Sequence, residues 1–157
     1  MSNHYKRLIW WYDEFMKKGF SIMELLVVVA IIGVLAAVGV LAYNGYIANA
    51  KKKQATTGLM SIFLAQTEYK RNFGKFYQSH ANCGFLNDDS AVINSNLFNG
   101  EGVITNNNYN FCIEYLSGSK TYQANAYLND GSYDHYFTIT NTNYKRIFDG
   151  QSWKEGW

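Results

Sequence analysis

Proline is absent from all 157 residues, and cysteine occurs only twice. Without proline no position forces a helix to kink, so any bend must come from glycine or from local melting. Two cysteines, Cys83 and Cys112, allow one bridge and exclude a multi-disulfide scaffold. A Cys83–Cys112 disulfide tethering the long loop to the first strand is expected, with free buried thiols or a metal site as the alternatives. Charge is missing as well: after Glu24 nothing charged appears until Lys51, and Leu25 to Tyr43 holds no side chain more polar than tyrosine. Catalytic signatures are also lacking. No Gly-rich phosphate loop, Ser/His/Asp constellation or pair of catalytic carboxylates stands out, so neither an enzyme nor a cofactor is expected.

The polar residues that could hold a metal fit plainer roles. His80-Ala81-Asn82-Cys83 has a ligand-like spacing but no second pair beside it. Asp88-Asp89, or Asp130 with Asp134, could touch Ca²⁺, yet no full calcium loop surrounds them and turn chemistry explains them. No metal site is expected.

The most informative segment is the apolar run. Its nineteen residues from Leu25 to Tyr43 would span roughly 28 Å as a helix, close to a hydrocarbon core. A cleaved secretory signal would need a small-residue site such as Ala48-Asn49-Ala50. The run is too long for that, Glu24 interrupts its start, and the helical pattern continues beyond it. A permanent signal anchor fits length and flanks but leaves Glu24 and the Gly19-Phe20 junction without a role. Cations flank the run on both sides, Lys6, Arg7, Lys17 and Lys18 before it and Lys51 to Lys53 after it, so charge does not set its orientation. The cysteine pair favours the C-terminal part outside the cytoplasm.

Lys17-Lys18-Gly19-Phe20-Ser21-Ile22-Met23-Glu24-Leu25-Leu26 and the apolar residues through Val38 resemble the class III signal of type IV pilins. The combination is specific: a basic leader, Gly before the cut, Phe after it, Glu four residues on, then an apolar helix. Pseudopilins of type II secretion share this segment. The resemblance implies that a membrane prepilin peptidase cleaves between Gly19 and Phe20 and methylates the new Phe20 amine. It also implies that Glu24 pairs with the Phe20 ammonium of a neighbouring subunit during assembly. Alone, Glu24 is an interfacial carboxylate that the helix dipole mildly favours. An unpaired charge at membrane depth costs about 2.5–3.5 kcal/mol, which gives pairing its reason. Residues 1–15 differ in character from the rest of the chain, and Met16 opens a compact leader. A start at Met16 and a genuinely long leader are the two readings of that stretch. The sequence departs from the type IVa pattern at Leu41, where a proline is usual, and Gly33, Gly39 and Gly45 are left to permit bending.

Beyond the run, Ala55, Leu59, Ile62, Gln66, Tyr69 and Phe73 fall on one helical face with Phe63 beside it, and Gly74 offers a stop. Residues 74–108 read as a long surface loop. Strands are expected at Asn110–Leu116, at Thr121–Leu128 with Tyr122, Ala124, Ala126 and Leu128 on one face, through His135, Phe137 and Ile139, and at Tyr144–Phe148, with Asn129-Asp130-Gly131-Ser132 a turn. The expected fold is α+β: a long N-terminal helix packed on a small antiparallel meander of three to four strands, the lollipop layout of pilins. The expected organisation is a leader over 1–19, a transmembrane and assembly segment over 20–45, and an extracytoplasmic head over 46–157 whose meander covers 109–148.

The expected function is that of a structural subunit of a type IV pilus, held in the inner membrane before assembly and extracellular afterwards. Its expected partners are other copies and other pilins, the prepilin peptidase and an inner-membrane assembly platform. A type II secretion pseudopilin and a DNA-uptake receptor are the competing readings. Of fourteen basic and twelve acidic residues, four and two precede Phe20, leaving ten of each. That balance argues against general nucleic-acid binding. Lys51 to Lys53, Lys70-Arg71, Lys75, Lys120 and Lys145-Arg146, with thirteen tyrosines, keep DNA open as a partner.

Overall fold

The computed structural model describes residues 19–104, 108–130 and 135–157. The expected leader, including Met16, lies outside the described residues, as do Gly131, Ser132 and Asp134. The chain divides into two compact units that meet in sequence between Tyr46 and Ile47. Helix α1 (Ile22–Phe73) begins in the first and ends in the second.

In the first unit α1 runs unbroken through Gly33 and Gly39 and past Leu41. No break in the helix falls at these glycines. Its described large apolar side chains are exposed, from Val28 at 40% to Ile22 at 80%. Among the described residues, α1 is the one helix long and apolar enough to cross a membrane.

The second unit has its own core. Ala55, Leu59, Ile62 and Gln66 are fully buried along one face of α1, and Met60 and Phe63 pack at the flanks. The expected face ends early, because Tyr69 is half-buried and Phe73 is 64% exposed. Gly74 then stops the helix at φ +72, its N–H donating to the Lys70 carbonyl (2.8 Å). Only glycine takes this left-handed geometry without strain.

Five strands form an antiparallel meander in chain order: β1 (Tyr109–Tyr115), β2 (Tyr122–Leu128), β3 (Tyr136–Thr140), β4 (Lys145–Phe148) and β5 (Trp153–Glu155). The expected strands lie within a residue or two of the observed ones, with His135 just ahead of β3. The fifth exceeds the expected three to four. It is three exposed residues long, too short to show an alternating pattern. Its hairpin is held by Asp149, which accepts from the N–H groups of Gln151 (3.2 Å) and Ser152 (2.8 Å) and pairs with Lys154 (2.6 Å). Phe111, Ile113, Tyr122, Ala124, Ala126, Phe137 and Ile139 are buried with the helix face in one hydrophobic cluster.

Residues 74–108 are more than a surface loop. Phe76, Ile93 and Ile104 join the core, and a short helix α2 (Ser90–Leu97) carries Ile93 into it. Two turns offer too little periodicity to be recognised, which is why the sequence reads as coil there. Two carboxamides hold this segment by acting as backbone surrogates. Gln66 donates to the Tyr77 carbonyl (2.7 Å) and accepts from the Tyr77 N–H (2.8 Å). Asn94 does the same with Ile104, at 2.7 and 3.1 Å. Each pairing satisfies a buried donor and acceptor at once, as burial of polar groups requires.

Helix and sheet approach closely at Gly58. A Cβ there would lie 2.6 Å from Cζ and 2.8 Å from Cε1 of Phe111, itself 1% exposed. Alanine would gain about 1 kcal/mol in helix propensity, but displacing a core ring costs about 1–3 kcal/mol. Gly58→Ala is therefore expected to lower the thermal midpoint of the detergent-solubilised chain, as followed by near-ultraviolet circular dichroism.

Candidate processing and assembly segment

Gly19, Phe20 and Ser21 precede α1 without helical structure. Ser21 caps the helix: its Oγ accepts the Glu24 N–H (3.1 Å) and its carbonyl accepts the Leu25 N–H (3.1 Å). Ser21-Ile22-Met23-Glu24 has the Ser-x-x-Glu spacing of a capping box, with Glu24 at its third helical position. The spacing is visible in the sequence, where the charge of Glu24 overshadows it. Glu24 sits in the first turn, where the positive end of the helix dipole favours a carboxylate. It has no cationic partner among the described residues.

Gly19 has nothing within 4 Å of where a Cβ would stand, and its φ is not in the left-handed region. Nothing among the described residues therefore requires glycine there. Phe20 is 71% exposed. From Leu25 to Val40 the uncovered surface of α1 is apolar on all sides. Each buried Val, Leu or Ile is worth about 1.5–3 kcal/mol, so a surface of this kind calls for lipid or for other chains.

The family model described as the prokaryotic N-terminal methylation motif matches residues 15–40. Two type IV major pilin proteins PilE1 of Neisseria gonorrhoeae are 30% and 36% identical to this chain over 77 residues, 49% of it. A fimbrial protein of Neisseria meningitidis is 38% identical over 69 residues, 44% of the chain. Its N-terminal segment is thus similar to that of type IV major pilins. The matches span 47%, 43% and 41% of these relatives, so less than half of each is covered. No solved structure matches the chain. The described part of the matched segment lies in the first unit, whose described residues form no core, and the layout of a long helix followed by an antiparallel sheet is pilin-like.

The second unit uses its cysteines structurally. Cys83 and Cys112 form the expected disulfide, with Cα atoms 5.8 Å apart. Cys112 lies on the edge strand β1, and backbone bonds flank it. The Asp89 N–H donates to the Phe111 carbonyl (2.9 Å), and the Ser79 N–H donates to the Ile113 carbonyl (3.0 Å). The bridge thus staples a loop that covers a sheet edge otherwise open to pairing. Glu114 supports it, accepting the Cys83 N–H (2.9 Å) and the Asn125 amide (3.2 Å).

With Cys83 oxidised, His80 and Cys83 cannot act together as metal ligands. His80 instead lies with Nδ1 3.7 Å from Asp89 Oδ2. Folding does gather Ser79, His80 and Asp89, which no sequence motif joins, but in the wrong order for nucleophilic catalysis. Ser79 Oγ donates directly to Asp89 (2.6 Å) and accepts the Ile113 N–H (2.9 Å), so the imidazole does not stand between hydroxyl and carboxylate. Asp88 accepts from the Ser90 hydroxyl (2.6 Å), a turn contact.

Many of the cations and rings considered for DNA are engaged within the chain. Lys70 lies over Phe76, Lys145 over Trp157, and Arg146 over Trp153 at 4.3 Å, while Arg71 faces Glu68. Tyr109 and Tyr122 belong to the core. Burial, with the Asp130 carboxylate adding, pushes the Tyr109 hydroxyl up to about 12, and burial alone raises that of Tyr122. Across the other face of the sheet, Tyr127, Tyr136, Phe148 and Trp153 stand opposite one another strand by strand. Their successive ring centroids are 5.1, 5.2 and 5.5 Å apart, cross-strand pairs that stabilise the meander.

The bridge closes a separation of 29 residues, worth about 3–4 kcal/mol in the chain-entropy model. A Cys83→Ser, Cys112→Ser double variant is expected to unfold at clearly lower denaturant. Native protein should resist alkylation until reduced, and labelling without reductant would contradict the bridge.

Proposed function

We propose that this chain is a structural subunit of a type IV pilus. It enters the inner membrane by α1 with its C-terminal part on the outer side. A prepilin peptidase cuts it between Gly19 and Phe20 and methylates the Phe20 amine, and an assembly platform then packs the apolar helix among other copies and other pilins. The observation that carries this reading is an apolar helical surface with no partner among the described residues, preceded at once by Gly19-Phe20 and Glu24. The open surroundings of Gly19 support it too, because they put the reason for glycine in recognition by another molecule rather than in folding.

Cleavage would place a new positive charge at Phe20, four residues before Glu24. In the low-dielectric interior of a filament, a carboxylate and an ammonium at about 4 Å attract by about 4 kcal/mol at an effective dielectric near 20. Apolar helices slide past one another with little preference, so this pair would fix the axial register. The role is structural rather than catalytic.

Glu24→Ala should still be cut and methylated, since the Gly19–Phe20 junction is untouched. Filament yield should fall at least tenfold, as counted by electron microscopy of sheared surface fractions. Normal yield would remove Glu24 from assembly, and failure of wild-type chain to enter any filament would remove the pilus reading itself.

A further inference from the structure

Gly19, Phe20 and Ser21 lie outside the helix because α1 starts at Ile22. The start is placed by a bond rather than by a break in the apolar pattern, for Phe20 is as apolar as Ile22. That bond runs from the Glu24 N–H to Ser21 Oγ, at 3.1 Å. A helix leaves its first four N–H groups without intrahelical partners. Close to lipid such groups are costly to leave unsatisfied, so a helix gains by starting at a residue that can cap it.

We propose that Ser21 is a positioning residue for the processing cut, holding the helix boundary one residue past Phe20 and so keeping the Gly19–Phe20 bond in open backbone. The proposal rests on the reading that this bond is the one cleaved. A peptidase grips extended chain, whose N–H and C=O groups are free to pair with it, whereas helical backbone has them committed. Without the Ser21 hydroxyl, the next residue upstream that caps tolerably is Gly19. A helix begun there would draw Phe20 and Ser21 into its first turn and put the scissile bond at the helix end. Glu24 enters only through its backbone N–H, which leaves its carboxylate free for a neighbouring subunit.

The test uses full-length precursor in detergent micelles with prepilin peptidase, comparing Ser21→Ala, Ser21→Val, Ser21→Thr and Ser21→Asn with wild type. Capping strength orders these as Ser and Asn, then Thr, then Ala and Val far behind. Initial cleavage rates should follow that order, with Ala and Val about fivefold slower than wild type, the rate equivalent of a typical cap of about 1 kcal/mol. Thr and Val have the same shape, so a gap between them isolates the hydrogen bond. Amide exchange at Glu24 in the uncut precursor should accelerate in the Ala and Val variants alone. Equal rates for Thr and Val would overturn the proposal, as would an Asn variant cut as slowly as Ala, which would mean that the peptidase reads the serine itself. Mass spectrometry of the wild-type product separates the two levels. A product that does not begin at Phe20 defeats the cleavage reading and the proposal together, whereas correct cutting with no dependence on capping defeats the proposal alone.

Discussion

Among the described residues, the apolar surface of α1 between Leu25 and Tyr43 has nothing to lie against. Those side chains are exposed around the helix circumference, so the hydrophobic term that folds most domains is here satisfied only from outside. A second requirement arises from the first. In lipid every backbone group must be paired internally, and the absence of proline together with the Ser21 cap meets that demand along the run and at its start. Glu24 is then the one charge left in the segment, and its placement in the first turn is one that the helix dipole favours.

The second unit is built on the opposite principle, with its core closed within the chain. One helical face of small and medium residues lies against one face of the sheet, and Gly58 lets Phe111 approach the helix backbone. The segment between helix and sheet belongs to that core because Gln66 and Asn94 pair with its backbone as a neighbouring strand would. The disulfide then holds the same segment across the edge of β1. An edge so covered cannot recruit another strand, which matters for a protein read as one that packs side by side with many copies of itself.

Periodicity made the long helix legible, and alternation made four strands legible, because both patterns repeat over enough residues to stand out. The stop at Gly74 was legible for a different reason, since glycine is the residue suited to a left-handed helix end. Helix α2 and strand β5 were not, at eight and three residues. Phe73 fits the apolar pattern of its helix yet is exposed, because periodicity assigns a face and says nothing of where the opposing surface stops. The capping box at Ser21 is readable from its spacing alone, but beside a costly carboxylate it looks incidental.

By itself the sequence determined the apolar run, the isolated glutamate, the Gly-Phe junction and the helical and strand periods, because each depends on residue type and spacing along the chain. The tertiary structure decided how the cysteines are used, since whether two thiols meet depends on where Cys83 and Cys112 are carried. It also decided that Gly58, and not the glycines of the apolar run, is the close-packed one, because only an approaching Phe111 makes the absence of a Cβ matter. The order of contacts among Ser79, His80 and Asp89 was likewise a tertiary matter. Residue types can suggest a triad, but geometry alone says which atom touches which.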